Sequence, residues 1–193
     1  GRSRRTNDVD ETKRTKLKEK TQLTSLSLCF EYQGEGTTVA TRDDELLLEF
    51  LQLPTSLKHL YFSGLRGNSF RCWMLKELLK LVEILIHQCD SCRALPLFSH
   101  LPLLKRLSLK DLSDVEYVEE ADGVSGSSTY FPALEFLELR TMPKLKCWVK
   151  LEDDDKIQQR RDFVFPLLKH LRICHCPKLT TFPSMANLKS LDV

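Results

Sequence analysis

Leu81-Val82-Glu83-Ile84-Leu85-Ile86 and, 23 residues on, Leu104-Lys105-Arg106-Leu107-Ser108-Leu109 share one pattern, and that pattern decides the fold. Each begins with Leu, leaves two positions free, then alternates apolar residues with unlike neighbours. The same L-x-x-L-x-L spacing occurs at Leu23-Leu26-Leu28, Leu57-Leu60-Phe62, Leu134-Leu137-Leu139, Leu168-Leu171-Ile173 and Leu188-Leu191-Val193, seven instances in all. Successive starts are separated by 34, 24, 23, 30, 34 and 20 residues. The last two apolar residues of each unit alternate as a short strand with one buried face requires. One such unit cannot bury its own apolar side. Stacked units can, with one short parallel strand from each.

The expected architecture is therefore an α/β solenoid. It is a leucine-rich repeat horseshoe with short parallel strands on its concave face and irregular repeats of about 20–34 residues. Proline punctuation rules out a long all-helical reading. The steps Leu53-Pro54, Leu95-Pro96, Leu101-Pro102, Phe131-Pro132, Met142-Pro143, Phe165-Pro166 and Phe182-Pro183 are turns or strand-leading points, because Pro removes a donor and restricts its predecessor. Three residues past each strand lies a turn position held by Leu65, Cys89, Leu112, Met142 and Cys176. Two cysteines at one repeat position point to a structural role in a buried turn. The run 43–53 reads as a short helix capped by Asp43 or Asp44, and 70–80 as a second helical piece. Segments 33–42, 119–130 and 150–162 read as loops whose lengths account for the long intervals. Residues 1–20 carry eight Arg/Lys against four Asp/Glu with only Val9 and Leu17 apolar, a basic linker or the end of a preceding element. The repeat domain is expected over 21–193. The chain starts without Met and ends at Leu191-Asp192-Val193, so both ends are expected to be cuts from a longer protein. The first strand then lacks an N-terminal cap.

Of the 193 residues, 41% are hydrophobic and 29% charged, which excludes wholesale disorder. No run of 18 apolar residues exists to span a bilayer. The net charge of +2 is too small to argue for nucleic acid. Phe62 and Phe182 fall in apolar repeat slots and not on a stacking platform. Seven cysteines, an odd number, and the absence of any Asn-x-Ser/Thr acceptor point to reduced thiols in a cytoplasmic or nuclear compartment.

Alternation also names the outward strand residues. They are Ser25, Ser27 and Cys29; His59, Tyr61 and Ser63; Glu83, Leu85 and His87; and Arg106, Ser108 and Lys110. The later strands add Phe136, Glu138 and Arg140; His170, Arg172 and Cys174; and Ser190 and Asp192. Repeats four to six thus place Arg106, Lys110, Arg140 and Arg172 near one another around Glu138. With His59, Tyr61, Phe136 and His170 they form the candidate protein-binding surface, modestly basic and aromatic. Arg and aromatics are favoured interface anchors, and an acidic patch on another protein domain is the natural partner. The 150–162 segment is the second candidate.

Catalytic chemistry finds no support. Cys89-x-x-Cys92 and Cys174-His175-Cys176 have zinc-like spacing, but they sit three repeats apart, about 14 Å at 4.8 Å per strand. A cysteine nucleophile would need an imidazole and an orienting group in a cleft. His59, His87 and His170 lie in strands instead. There is no G-x-x-x-x-G-K-[ST] loop. No metal, cofactor or enzymatic activity is expected in this chain.

The punctuation resembles a known family. Leu17-Lys18-Glu19-Lys20 precedes Leu23-Thr24-Ser25-Leu26-Ser27-Leu28. Asp44-Glu45-Leu46-Leu47 and Leu57-Lys58-His59-Leu60 follow. Then come Leu81-Val82-Glu83 through Cys89-Asp90-Ser91-Cys92-Arg93-Ala94-Leu95-Pro96, and Phe131-Pro132-Ala133-Leu134-Glu135-Phe136-Leu137. Met142-Pro143-Lys144-Leu145-Lys146-Cys147-Trp148 and Phe165-Pro166 to Cys176-Pro177-Lys178-Leu179 complete the set. Together, over about 17–193, these resemble the leucine-rich region of plant disease-resistance proteins of the coiled-coil, nucleotide-binding, leucine-rich repeat type. Phe70-Arg71-Cys72-Trp73 departs from the Phe-Pro-x-Trp of that family and puts the turn before the third strand in question. The resemblance implies recognition of a pathogen effector or a guarded host protein. It also implies restraint of a nucleotide switch in the same parent chain, with ADP or ATP bound upstream. The alternative is the substrate-binding arm of another intracellular adaptor, such as an F-box-type ubiquitin ligase subunit, which shares the same solenoid physics.

Overall fold

The computed structural model describes residues 17–30, 52–65, 77–120, 131–150, 165–180, 185 and 187–193. Nine strands occur among them: β1 (Ser25–Cys29), β2 (His59–Ser63), β3 (Glu83–His87), β4 (Arg106–Lys110), β5 (Tyr117–Glu120), β6 (Phe136–Arg140), β7 (Cys147–Lys150), β8 (His170–Cys174) and β9 (Ser190–Asp192). Seven form one parallel sheet in the order β1-β2-β3-β4-β6-β8-β9, the seven strands expected from the repeat. Register is constant across it. His59, Glu83, Arg106, Phe136, His170 and Ser190 fall in one row, with every later position in step.

The same devices recur in the repeats of β2, β3, β4, β6 and β8. A turn leads into each of these strands, closed by Leu57 N–H to Pro54, Leu81 to Leu78, Leu104 to Leu101, Leu134 to Phe131 and Leu168 to Phe165 carbonyls. In the last three, Pro102, Pro132 and Pro166 take the second turn position, where a fixed φ is preorganised. That is why X-Pro steps punctuate the sequence. The leading leucines Leu57, Leu81, Leu104, Leu134 and Leu168 are fully buried, as are Leu107, Leu109, Leu137 and Leu139 behind them. Each buried side chain of this size contributes about 1.5–3 kcal/mol. Burial fades toward β1, where Leu26 and Leu28 are half-buried, and β9, where Leu191 is exposed.

β2, β3, β4, β6 and β8 are each left through a residue in the left-handed region. Gly64, Gln88, Asp111, Thr141 and His175 hold φ of 77°, 54°, 52°, 53° and 56° at the same repeat position. The N–H groups of Gly64, Gln88, Asp111 and Thr141 donate to the last strand residue of the next repeat, at His87 O, Lys110 O, Arg140 O and Cys174 O. A residue other than Gly is strained there, but the repeated hydrogen bond holds it. At position 64 a side chain would also meet the Phe30 carbonyl oxygen at 2.3 Å. Only Gly fits.

Three expectations need revising. Glu119, Glu120 and Lys150 are not loop residues. They belong to β5 and β7, which pair in parallel, Tyr117 against Cys147. The 30-residue offset that aligns Arg106 with Phe136 persists to Tyr117 and Cys147, so the extra length of this repeat begins only after β5. Glu119 looked like loop because it is charged, yet it is buried and accepts the Ser99 N–H at 2.8 Å. Residues 77–80 form a turn, not the end of a helix. The 43–53 helix falls outside the described residues except Gln52 and Leu53, which are irregular. Residues 33–42, 121–130, 151–162 and the Phe70–Trp73 run also lie outside them. Leu17–Glu19 form a short 3-10 turn with Leu17 against the core.

Candidate interaction face

The exposed side of the seven-stranded sheet carries the candidate residues because strand alternation turns them away from the leucine core. His59 sets Nδ1 3.2 Å from Glu83 Oε2. Arg106 Nε donates to the other oxygen of the same carboxylate, also at 3.2 Å. The Arg106 guanidinium lies over the Phe136 ring, 4.5 Å from its centre. A cation stacked on an aromatic face and fixed by a carboxylate is already oriented for a partner. His170 follows Phe136 in the same row and is exposed.

The middle row runs Ser27, Tyr61, Leu85, Ser108, Glu138, Arg172 and Asp192. Tyr61 and Leu85 are half-buried neighbours, an apolar patch at the start of the face. Glu138 corrects an expectation. Its position predicts an exposed charge, but it is only 5% exposed. Lys110 Nζ covers it at 2.8 Å, Ser108 Oγ donates at 3.2 Å, and Arg172 Nη1 stands 3.7 Å away. Burial pushes the Glu138 carboxyl up. Lys110, Ser108 and Arg172 together outweigh that and leave it below the usual range. Arg172 also pairs with Asp192 at 3.2 Å, which raises its own affinity for the proton.

The expected basic patch is thus largely answered from within. Glu83 takes Arg106, Glu138 takes Lys110 and shares Arg172, and Asp192 takes the rest of Arg172. Arg140 is exposed and has no ion pair among the described residues. Glu83, Ser108, Asp192 and the His87–Asp111 pair at 2.8 Å also build this lattice. They were identifiable as outward or flanking residues but not as partners. The signal that could have found them is register, since aligning the repeats on their leucines puts Glu83 beside His59 and Arg106, and Glu138 between Ser108 and Arg172.

The cysteines divide by face. Cys89 is fully buried, donates to the His87 carbonyl, and has its thiol pushed up to about 11 by burial. Cys147 and Cys176 are raised for the same reason. Cys29 is exposed. Among the described residues no three Cys, His, Asp or Glu side chains group as metal ligands, and no helix is long and apolar enough to cross a membrane.

A family profile described as R13L1/DRL21 LRRs matches residues 2–112, and the same repeat geometry continues beyond that stretch to β9. The disease resistance protein RGA2 of Solanum bulbocastanum is 34% identical over 193 residues, 97% of this chain and 19% of that protein. The putative disease resistance RPP13-like protein 1 of Arabidopsis thaliana is 25% identical over 162 residues, 79% of this chain and 15% of that protein. The chain therefore spans less than a fifth of the length of either relative. No solved structure matches it. Profile, relatives and the repeated turn–strand–turn geometry agree: the chain belongs to the R13L1/DRL21 leucine-rich repeat family and is similar to the repeat regions of plant disease-resistance proteins.

Proposed function

We propose that this chain is the protein-recognition and autoinhibitory region of an intracellular plant immune receptor, acting in the cytoplasm or nucleus by binding and not by catalysis. The observation that carries this reading is the sheet face itself. A repeat that is uniform on its buried side changes its outward side chain from one strand to the next, with Arg106 clamped between Glu83 and Phe136. Such a face can read a partner's shape and charge without moving the core beneath it. His59, Tyr61, Arg106, Lys110, Phe136, Arg140, His170 and Arg172 are its contact residues, and buried Glu138 holds Lys110 and Arg172 in place beneath them. Its partners are the nucleotide-binding module of the parent chain, which holds ADP or ATP, and a pathogen effector or guarded host protein. The disease-resistance names of the relatives support this reading over the ubiquitin-ligase adaptor.

The test is transient leaf expression of the full-length parent carrying Arg106→Glu with Arg140→Glu. Wild-type accumulation with an altered response, either constitutive cell death or lost recognition, supports the reading. Wild-type accumulation with an unaltered response counts against it.

A further inference from the structure

The strand-leading turns carry a second surface, separate from the sheet face. Constant register stacks the turns as it stacks the strands. The second turn position holds Thr55, Leu79, Pro102, Pro132 and Pro166 from successive repeats, and the third holds Ser56, Lys80, Leu103, Ala133 and Leu167. Leu79, Leu103 and Leu167 are 51%, 50% and 47% exposed. Scattered exposed leucines need no account. These are neither scattered nor isolated. From Leu79 through Pro102 and Leu103, Pro132 and Ala133, to Pro166 and Leu167, every residue of this rim across β3, β4, β6 and β8 is apolar except Lys80. Three strand steps make the ridge about 14 Å long.

A row of charge runs beside it. The residue just before β2, β3, β4, β6, β8 and β9 is Lys58, Val82, Lys105, Glu135, Lys169 and Lys189 in turn. Backbone bonds link this row from repeat to repeat, as Glu135 N–H to Lys105 O, Lys169 N–H to Glu135 O and Lys189 N–H to Lys169 O. Glu135 accepts both Lys105 at 3.5 Å and Lys169 at 2.6 Å, which draws the two ammonium groups together in the middle of the row. Four lysines against one carboxylate leave the row cationic.

We propose that this rim is a docking ridge for an acidic amphipathic helix of a partner protein. Its apolar stripe would lie along Leu79, Leu103 and Leu167, and its carboxylates would face Lys105, Lys169 and Lys189. Ten helical residues span about 15 Å, which matches the ridge. Prolines at three of the turns keep the ridge rigid, so little ordering entropy opposes docking. A protein helix fits better than an anionic bilayer. The lysines form a single file beside an apolar ridge about 14 Å long, which matches the two faces of one helix and not an extended anionic plane. This surface is independent of the sheet-face reading, and either can fail alone.

The test uses the full-length protein and three probes. They are a fluorescein-labelled 18-residue helix of Leu on one face and Glu on the other, its Lys-for-Glu analogue, and phosphatidylserine vesicles. Variants are Leu103→Ser with Leu167→Ser, Lys105→Gln with Lys169→Gln, and Arg140→Glu with Arg172→Glu as the sheet-face control. The thermal midpoint confirms that each variant is folded. We expect the acidic helix to bind, to lose at least tenfold in affinity with the double Leu→Ser variant, and to become less salt-sensitive with the double Lys→Gln variant. The control should leave its affinity unchanged. Equal affinity for the Lys analogue, no effect of the Leu→Ser pair, loss confined to the sheet-face control, or binding to vesicles in place of the helix would each overturn the proposal.

Discussion

Leu107 and Ser108 are neighbours, yet they belong to different regions of the molecule. On the inner side of the sheet, Leu60, Ile84, Leu107, Leu137 and Leu171 occupy one row with only aliphatic side chains, all buried. On the outer side, one residue along, the row reads Tyr61, Leu85, Ser108, Glu138 and Arg172. The inner row is nearly the same sentence repeated. The outer row hardly repeats a residue type. A solenoid needs every repeat to present the same shape to its neighbours, so stability holds the inner side uniform. Nothing in the stacking constrains the outer side beyond solubility, and there chemical identity is free to serve recognition.

The largest expected effect contrasts the two sides. Leu107→Ala removes a fully buried side chain in the middle of the stack and should cost about 2–5 kcal/mol. Arg106→Ala removes an exposed ion pair worth at most about 1 kcal/mol. Denaturant titration of both variants would break the comparison if the two costs came out alike.

Next comes the strand-exit position, where both sides meet. Gly64→Ala should destabilise by about 1–3 kcal/mol through left-handed backbone strain alone, with the Phe30 carbonyl clash adding to it. Thr141→Gly, at the same repeat position, should stabilise, because it removes a β-branched residue from the left-handed region without taking away the N–H that bonds Cys174 O. Opposite signs from one repeat slot, read as shifts in thermal midpoint, would sharpen the point that repeat position fixes backbone and local packing decides which residue it tolerates.

A smaller effect follows from pH. Glu116, Glu135 and Glu138 are all held below the ordinary carboxylate value of 4.5, the first by Lys146, the second by Lys169, the third by the balance already described. A carboxyl whose folded pKa is depressed supports stability above its unfolded pKa and loses that support as pH falls through the folded value. The thermal midpoint should therefore fall below about pH 4.5, and Glu138→Gln should flatten part of that slope. An unchanged slope would remove Glu138 from the lattice.

The mildest probe is chemical. Iodoacetamide at pH 8 should label exposed Cys29 in the native protein and spare Cys89, whose buried thiol does not ionise until about 11. Mass spectrometric mapping would read both, and early labelling of Cys89 would mean that the inner side is not closed.

The seven strands and their buried leucines were legible because burial imposes a period that survives in the sequence. The turn positions were legible because Pro102, Pro132 and Pro166 can sit only where no N–H is needed. β5 and β7 were not. They are short, Glu119 is charged, and what stabilises them is each other across 30 residues, which no local pattern displays. The outward residues were legible as a set from alternation alone. Their pairings were not, because a carboxylate such as Glu138 looks the same in sequence whether solvent or Lys110 faces it. Only three-dimensional register distinguishes the two, and it turned an expected basic patch into a mostly neutralised lattice with Arg140 at its margin.

The most direct measurement scans inner and outer positions together in the full-length protein. Leu107→Ala and Leu137→Ala are compared with Arg106→Glu, Arg140→Glu and Arg172→Glu, and both protein accumulation and defence response are read in leaf tissue. The account predicts that inner variants lose accumulation, while outer variants accumulate normally and change the response. Outer variants that respond like the unmodified protein at normal accumulation, or that fail to accumulate as the inner ones do, would contradict it.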